Sequence, residues 1–376
     1  MSHRADLAIV GAGILGLAHA YEAAKKGLRV VVFERSQRAS GASIRNFGMI
    51  WPVGQPHGLL ELALRSRQKW LEVLDDARLP YWPDGSLHVV YQPDEAAVAQ
   101  EFAEVAPSLG YRCAWLNADQ VLGRSNAVEP QGLLGGLWSE TELTVDPRVT
   151  LERLPQYLHE KLGVEFCFGC AVHAIDLPFI DAGDWCWEAD HAIVCSGDDF
   201  ESLYPQVYAS AGLTRVKLQM LRTVPQANGW RLGPALAAGL TLRFYPSFAV
   251  CKTLPALKQR IAAEMPEYER WAIHGLVSQT TAGELTLGDS HEYSPCVDIF
   301  NKQEIDELIL RYISRFLRAP SMDIAQRWHG VYAKHPEKPY LSLDAAPGVK
   351  IITSPGGSGM TLSFGVAAQT IAEMAL

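Results

Sequence analysis

A glycine-rich turn near the start of the chain constrains the fold more than any other feature of the sequence. The apolar run at residues 7–10 ends in Gly-Ala-Gly-Ile-Leu-Gly at 11–16, and apolar residues then recur at helical spacing as far as Gly27. A second apolar run, at 29–33, ends in Glu34. A strand, a tight turn, a helix and a second strand in this order predict a βαβ unit of a parallel, Rossmann-like sheet.

Each glycine of this turn has a distinct task in binding a dinucleotide. Gly11 permits the tight turn, Gly13 lets backbone approach a pyrophosphate, and Gly16 lets the helix pack close to the strand. The helix beginning near Ile14 offers unpaired N–H groups to the phosphates. Glu34 can accept hydrogen bonds from ribose hydroxyls and disfavours the 2′-phosphate of NADP, which leaves FAD or NAD.

Length and composition limit the remaining possibilities. With 376 residues, 48% of them hydrophobic, the chain has material for two domains with packed cores. Its net charge of −9 and the lack of a long basic run argue against a nucleic-acid partner. Seven scattered cysteines, including the close pair Cys167 and Cys170, are typical of reduced thiols and predict a cytoplasmic protein. No apolar run approaches the ~18 residues that a transmembrane segment requires.

The segment after the second strand carries a family resemblance. Ser-Gly-Ala-Ser-Ile-Arg-Asn-Phe-Gly-Met-Ile, at 40–50, resembles the flavin-contacting stretch of the D-amino-acid oxidase, glycine oxidase and sarcosine oxidase superfamily. The resemblance implies FAD as the cofactor, with Ser43, Asn46, Gly48 and Met49 among its contacts. Arg45, in the same stretch, would neutralise a phosphate or face the active site.

Further matches extend the resemblance over nearly the whole chain. Thr-Val-Asp-Pro-Arg, at 144–148, resembles the signature at which such chains re-enter the FAD domain. The apolar strand from 191 ends in Cys-Ser-Gly, where the superfamily usually has Ala-Thr-Gly, and the strand at 349–353 leads into a second glycine-rich turn at 354–361. Further FAD contacts are implied for Arg35, Val172, Ser196, Gly197, Gly357, Ser358, Gly359, Met360 and Thr361.

The chain is therefore identified as a member of this superfamily, and two segments narrow the resemblance. Residues 283–293 and 327–333 resemble a bacterial clade linked with aminophosphonate breakdown. The implied fold is an α/β FAD-binding, Rossmann-like domain of the glutathione-reductase type with an interleaved α+β substrate domain built on an antiparallel sheet. Residues 1–83, 146–213 and 327–376 are expected in the FAD-binding domain, and residues 84–145 and 214–326 in the substrate domain.

Substrate anchoring departs from the glycine oxidase pattern. Glycine oxidases carry an arginine in a Gly-Leu-Arg-Pro stretch that grips the substrate carboxylate, but the corresponding run here is Gly-Val-Tyr-Ala at 330–333, which places Tyr332 at that position. Several separate donors suit a phosphonate better than one planar fork does. The substrate is predicted to be a small anionic amine, and Arg243 is a further donor expected at a strand end. The candidate anchors are Arg45, Tyr245, His291, Tyr332 and Lys334.

The reaction implied by the resemblance is oxidation of a C–H bond beside an amine, with O2 or another acceptor reoxidising the flavin. No dedicated general base is demanded, and no catalytic residue is assigned. Two alternatives remain: oxidation of a 2-hydroxy acid, and a flavin-binding subunit or tRNA-modification component that acts with a partner protein. FAD is expected to be non-covalently bound, because no cysteine follows Cys296. No metal is expected, because no cluster of acidic or cysteine residues accompanies His329 and His335.

Overall fold

The structure is a computed structural model that describes residues 3–183 and 185–376. Its α-helices, in chain order, are α1 (Ile14–Lys25), α2 (His57–Asp76), α3 (Pro93–Val105), α4 (Ala118–Arg124), α5 (Pro147–Leu162), α6 (Pro205–Ser210), α7 (Gly239–Leu242), α8 (Leu254–Glu264), α9 (Pro266–Arg270), α10 (Gln303–Ile313) and α11 (Gly359–Glu373). Its strands are β1 (His3–Val10), β2 (Val30–Glu34), β3 (Met49–Ile50), β4 (Tyr81–Trp82), β5 (Ser86–Val90), β6 (Cys113–Asn117), β7 (Gly135–Ser139), β8 (Leu143–Val145), β9 (Glu165–Phe168), β10 (Ala174–Asp176), β11 (Phe179–Ala182), β12 (Trp185–Val194), β13 (Thr214–Thr223), β14 (Ala235–Ala238), β15 (Leu276–Gln279), β16 (Leu285–Gly288), β17 (Glu292–Ser294), β18 (Ile324–Lys334), β19 (Leu341–Ala346) and β20 (Val349–Thr353).

The first sheet confirms the predicted βαβ unit. Its order is β10-β11-β12-β1-β2-β9, with β20 beside the end of β12 and β19 beside β20. The pairs β1–β2, β1–β12, β2–β9 and β12–β20 are parallel. Strands covered on both faces need apolar residues at consecutive positions, and residues 30–33 of β2 are all buried. The carboxyl ends of the parallel strands therefore meet at one edge, where such sheets bind ligands.

Helices α1, α2 and α11 share a core on one face of this sheet. The Phe364 ring meets the edges of Tyr21 and Trp70, with ring centroids 5.7 and 4.9 Å apart. The Trp70 indole donates from Nε1 to the Met360 carbonyl at 2.7 Å. Because Met360 lies in the first turn of α11, this core fixes the start of that helix at the sheet edge.

The second sheet is almost wholly antiparallel. Its order is β17-β13-β16-β15-β14-β5-β7-β6, with β18 also paired to β13, and only the β14–β5 pair is parallel among the described strands. The apolar run from Leu240 to Tyr245 predicts a strand of this sheet, but that prediction is wrong, because α7 occupies its first residues. The Leu240 N–H donates to the Tyr312 hydroxyl at 2.9 Å rather than to a neighbouring strand. The predicted antiparallel substrate sheet is therefore present with this local change.

One predicted domain boundary falls inside a strand. β18 pairs with β13 from Thr214–Lys334 to Thr223–Ile324, so residues 327–334 lie in the second sheet and not in the first. The small sheet β3-β8-β4 contains the chain next to two of the other predicted boundaries, at 83 and 145, and the fourth, at 213, immediately precedes β13. The division into two interleaved domains stays a prediction.

No helix within residues 3–183 or 185–376 is long and apolar enough to cross a membrane.

Candidate active site

A cavity of about 1410 Å³ extends from the first glycine-rich turn to one face of the second sheet. Gly13 and Ser43 line one part of it, Gly357 lies at the second glycine-rich turn, and Tyr245 and Tyr332 line the part against the second sheet. Typical small-molecule pockets measure ~300–1,000 Å³. The cavity is therefore large enough for a dinucleotide together with a small second molecule.

The first glycine-rich turn forms a cradle that leaves no room for a side chain at Gly11 or Gly16. Gly11 has φ +105°, and a Cβ there would lie 2.4 Å from the Cys195 carbonyl oxygen. A Cβ on Gly16 would lie 1.8 Å from the Gly11 oxygen, and one on Gly13 would lie 3.0 Å from Ser43 Oγ. Gly16 does not line the cavity, and its contact with the cofactor stays a prediction, while the helix packing expected of it is observed.

Glu34 and Ser43 hold this cradle in shape. The Glu34 carboxylate, at the end of β2, accepts hydrogen bonds from the Ala12 N–H at 3.0 Å and the Ser36 N–H at 2.9 Å. Ser43 Oγ accepts from the Ile14 N–H at 2.9 Å, so a donor expected to face phosphate is already paired with a side chain. Both side chains also line the cavity.

Asn46 shapes the segment after β2. Its Nδ2 donates to the carbonyls of Ala42 and Ser43 at 3.0 and 2.9 Å, and its Oδ1 accepts from the Gly48 N–H at 2.7 Å. Gly48 does not line the cavity. Its φ is +72° and a Cβ would lie 2.0 Å from the Val145 oxygen, so Gly48 packs closely against β8, and the cofactor contact predicted for it stays a prediction.

The second glycine-rich turn brings the start of α11 to the cavity. The Trp51 N–H donates to Thr361 Oγ1 at 2.9 Å, and Gln55 Nε2 donates to Ser358 Oγ at 3.0 Å. The N–H groups and the partial positive charge at a helix start favour an anionic group there. The predicted cofactor residues that line the cavity are Gly11, Gly13, Ile14, Glu34, Arg35, Ser43, Asn46, Met49, Val172, Ser196, Gly197, Gly357, Ser358, Gly359, Met360 and Thr361. Contact of each with FAD stays a prediction, but the cradle, the acid and two helix starts together fit this cofactor.

Aromatic rings form the wall at the second-sheet end of the cavity. Tyr245 stacks near Trp51, with centroids 6.2 Å apart, and Phe244 stacks on His274 with centroids 4.0 Å apart. Gly54 fits between the Tyr245 and Trp51 rings, because a Cβ there would lie 2.7 Å from Tyr245 Cδ1. This end is therefore narrow and largely apolar, with a few polar groups directed into it.

A cluster of donors lies in this aromatic end, formed by His291, Tyr293, Tyr332 and Lys334. Lys334 Nζ donates to the Tyr293 hydroxyl at 3.3 Å, and the His291 ring lies 6.4 Å from Tyr293 and 6.5 Å from Tyr332 between centroids. Burial, together with the charge of Lys334, lowers the pKa of His291 to about 4, so its imidazole is neutral near pH 7. We call these four residues the donor cluster.

The two candidate arginines have different surroundings. Arg45 lines the cavity and donates from Nη1 to the His329 carbonyl at 3.1 Å, while Trp328 Nε1 donates to the Arg45 carbonyl at 3.2 Å. Arg243 is buried outside the cavity, pairs with Glu269 and donates from Nε to the Leu240 carbonyl at 3.1 Å. Its expected place as a substrate donor is wrong, since its guanidinium serves the packing around α7 and α9.

His274 and Asp289 are site residues that the sequence analysis missed. Ligand-type atoms of His274, Asp289 and His291 all lie within 4.8 Å of one another. Burial raises the pKa of Asp289 to about 8 and lowers that of His274 well below its ordinary value. The only signal for Asp289 was its place two residues before His291, which does not reveal burial. The prediction that no metal is bound stays untested by this arrangement.

The glycine cradle, the acid at the end of β2 and the adjoining cavity together define a protein that binds a dinucleotide cofactor. The family model described as DAO, FAD dependent oxidoreductase, matches residues 6–374. The chain therefore belongs to the FAD-dependent oxidoreductase family. This agrees with the FAD cofactor and fold class predicted from the sequence.

Individual relatives and solved structures agree with the family. Glycine oxidase from Geobacillus kaustophilus is 28% identical over 147 residues, which are 37% of this chain and 39% of that protein. The bifunctional protein ThiO/ThiG from Trichormus variabilis is 27% identical over 237 residues, 59% of this chain and 35% of that protein. These alignments thus span well under half of either relative.

Similarity to solved structures covers nearly the whole fold. The crystal structure of glycine oxidase from Geobacillus kaustophilus has a TM-score of 0.77 at 18% identity, covering 99% of this chain and 95% of that chain. L-proline dehydrogenase from P. horikoshii has a TM-score of 0.79 at 15% identity, covering 100% of this chain and 95% of that chain. At these identities the likeness establishes the fold alone.

Proposed function

We propose that this protein oxidises a small anionic amine, an aminoalkylphosphonate or its N-methyl derivative, with FAD as the hydride acceptor. The observation that carries the proposal is the donor cluster within the cavity, where Tyr332 stands in place of a carboxylate-gripping arginine. The similarity to glycine oxidase supports an amine as the reacting group. The narrower resemblance of residues 283–293 and 327–333 to an aminophosphonate-linked clade supports the phosphonate.

The residues of the donor cluster suit an anion with several acceptor oxygens. Lys334 supplies a compact positive charge, and Tyr293 and Tyr332 supply hydroxyls. The single N–H of the neutral His291 ring, on Nδ1, donates to the Ala272 carbonyl at 3.3 Å, so His291 contributes its ring to the wall of the cavity. A planar arginine fork matches a carboxylate, whereas separate donors at different angles can meet the oxygens of a tetrahedral phosphonate. Arg45, partly engaged by the His329 carbonyl, adds positive charge to the same cavity.

The aromatic wall would position the reacting carbon and exclude water. Tyr245 and Trp51 present apolar faces beside the second glycine-rich turn, where α11 begins. FAD, when bound, accepts a hydride, which is two electrons and one proton, from the carbon beside the amine. The resulting imine takes up water to give a carbonyl and ammonia or an alkylamine, and O2 or another acceptor reoxidises the cofactor.

Anaerobic bleaching of the flavin spectrum tests this function without a partner protein. Amino acids, N-methyl amino acids, aminophosphonates and 2-hydroxy acids should be compared, and we expect an aminophosphonate to bleach the spectrum at the lowest concentration. Release of ammonia or an alkylamine separates amine oxidation from oxidation of a hydroxy acid. Failure of every amine to reduce the flavin would refute the proposal, and activity that appears only with added protein would favour a flavin-binding subunit.

Variants of the donor cluster test the anchoring. Lys334→Ala should weaken apparent affinity by about 10–100-fold, since a hydrogen bond to a charged group contributes ~1.5–3 kcal/mol. His291→Ala should also weaken it, because the variant removes the ring that lies beside Tyr293 and Tyr332. Lys350→Ala is a suitable control, because Lys350 pairs with the exposed Asp344 on β19 and does not line the cavity. Unchanged affinity in both cluster variants would remove these residues from substrate binding.

A further inference from the structure

Asp289 is a buried carboxyl group directed into the cavity without a cation to pair with. It follows β16, lines the cavity and is 5% exposed. Its Oδ1 has no hydrogen-bond partner, and no lysine or arginine within the described residues forms an ion pair with it. Burying an ionised carboxylate without a partner is costly. Such a group is stabilised either by holding a proton or by meeting a positively charged ligand.

The groups that face Asp289 come from several elements. His274, just before β15, and His291, just before β17, lie within 4.8 Å of it by their ligand-type atoms. The hydroxyls of Tyr245 and Tyr332 are near enough for the Asp289 charge to help raise their pKa values, although burial is the larger cause. His274 Nδ1 also lacks a hydrogen-bond partner in the described part of the chain. Both histidines are neutral near pH 7, so none of these four side chains neutralises Asp289.

The positions of charge in the cavity match a molecule with two opposite charges. His291 is a neighbour of both Asp289, by ligand-type atoms within 4.8 Å, and the Tyr293 ring, by a centroid distance of 6.4 Å. Lys334 lies beyond, 5.0 Å from the centroid of the Tyr293 ring. An aminoalkyl anion held by the donor cluster would therefore have its ammonium group on the Asp289 side.

We propose that Asp289 accepts a proton from the ammonium group of the bound substrate, leaving the amine neutral for oxidation. This inference rests on the proposed function. In the step, an N–H bond of the ammonium breaks, an O–H bond forms on the Asp289 carboxylate, and the electron pair stays on nitrogen. That pair then becomes part of the C=N bond as the hydride leaves the neighbouring carbon. The proton on Asp289 passes to water before the next substrate binds.

Two physical effects favour this transfer. Removal from water disfavours the charged forms of both the carboxylate and the ammonium, so the cavity favours the neutral pair. Burial also raises the pKa of Asp289 to about 8, close to neutral pH, which suits a group that must take up and release a proton in each cycle. His274 and His291, held neutral, leave the carboxylate as the group in the trio that changes charge near this pH.

The decisive experiment compares the pH dependence of flavin reduction in wild type and Asp289→Asn. The quantity measured is the rate constant of flavin reduction divided by the substrate dissociation constant. It is determined under anaerobic conditions from pH 6 to 10.5, with the best amine from the bleaching screen. Asparagine keeps the size of the side chain but cannot accept the proton, so the variant must bind the neutral amine. The value of this quantity in the wild type, divided by its value in the variant, should fall about tenfold per pH unit. This fall is expected between the pKa of Asp289 and the pKa of the amine, about 10.

Asp306→Asn provides a matched control. Asp306 is also a buried carboxyl in the second-sheet region, but it pairs with Arg327 at 3.2 Å, accepts from Gln219 and does not line the cavity. Its variant should keep the wild-type pH profile whatever happens to stability. A ratio for Asp289→Asn that stays constant with pH would overturn the proposal and assign Asp289 a structural role.

Two further measurements on the wild type keep the proposal falsifiable if the variant fails to fold. Reduction should decline above the pKa of the amine, because the ammonium form is the one that Asp289 receives, and a profile that continues to rise there overturns the proposal. Activity abolished by EDTA and restored by Zn²⁺ would likewise overturn it in favour of a bound cation. Failure of all amines to reduce wild-type flavin would instead count against the proposed function.

Discussion

Replacing Gly11 with alanine should separate the cofactor cradle from the rest of the fold. Gly11 has φ +105°, and a Cβ there would lie 2.4 Å from the Cys195 oxygen, which belongs to the backbone just after β12. That oxygen would have to move by about 1.0 Å to reach an ordinary contact of 3.4 Å. Two backbone hydrogen bonds cross this point, from Gly11 to Phe33 at 2.7 Å and from Cys195 to Val10 at 2.8 Å.

The expected cost follows from these contacts. A left-handed backbone costs an L-residue ~1–2 kcal/mol, and weakening of the two hydrogen bonds adds ~0.5–1.5 kcal/mol for each. The total is about 2–5 kcal/mol, and the lower figure alone corresponds to roughly 30-fold weaker FAD binding if the strain is relieved by leaving the binding conformation. The FAD dissociation constant, measured by flavin fluorescence on the deflavinated protein, should rise by at least that factor.

Gly27→Ala is the control for this experiment. Gly27 also has a positive φ, +85°, but it does not line the cavity and a Cβ there would meet no atom within 4 Å. Its effect on FAD affinity should stay within ~0.5 kcal/mol, as for a change away from the site. If Gly11→Ala binds FAD as tightly as Gly27→Ala does, the steric account of the cradle is wrong.

Two further predictions concern buried ionisable groups. Burial lowers the pKa of His88 to about 3 in the folded protein, while in the unfolded chain its pKa is about 6.5. The unfolded chain therefore binds the extra proton between these values, and the free energy of unfolding in urea should fall as pH decreases from 6.5 towards 3. The contribution of this residue is up to ~1.4 kcal/mol per pH unit. His88→Phe should reduce that slope by one proton, and an unchanged slope would contradict the burial argument. Glu142 accepts from Val53 N–H at 2.9 Å and Ser86 Oγ at 3.1 Å, so Glu142→Gln should destabilise by ~1–3 kcal/mol in the same assay. The exposed Glu140→Gln should have little effect, and equal losses in both variants would contradict the assignment of the cost to burial.

Local patterns predicted the first sheet and the cofactor cradle well. The turn at 11–16 and the acid at Glu34 are close in sequence, and the steric demands at Gly11 follow from short-range geometry. The strand predicted at 240–245 failed because its apolar residues are buried equally well in α7, where Tyr312 takes up a backbone N–H. Periodicity cannot choose between a short buried helix and a short buried strand.

Asp289, the proposed proton acceptor, could not be predicted from the sequence for a different reason. His274 and Asp289 stand on either side of the β15–β16 hairpin and meet only because the two strands run antiparallel. Nothing in their spacing reveals that Asp289 is buried, or that its carboxyl faces the cavity without a cation. Gly48 illustrates a second limit, since it lies in a segment predicted to contact the cofactor and packs closely against Val145.

β18 joins the proposed substrate anchors to the second glycine-rich turn through one stretch of backbone. Tyr332 and Lys334 alternate along it and both line the cavity, while the backbone of Lys334 bridges to Pro355 in the second glycine-rich turn. The ladder with β13 depends on main-chain groups and not on the side chains at these two positions. Substitution of Tyr332 and Lys334 can therefore change which anion binds without changing the backbone that adjoins the flavin site. β18 is thus a position at which related proteins can differ in substrate range.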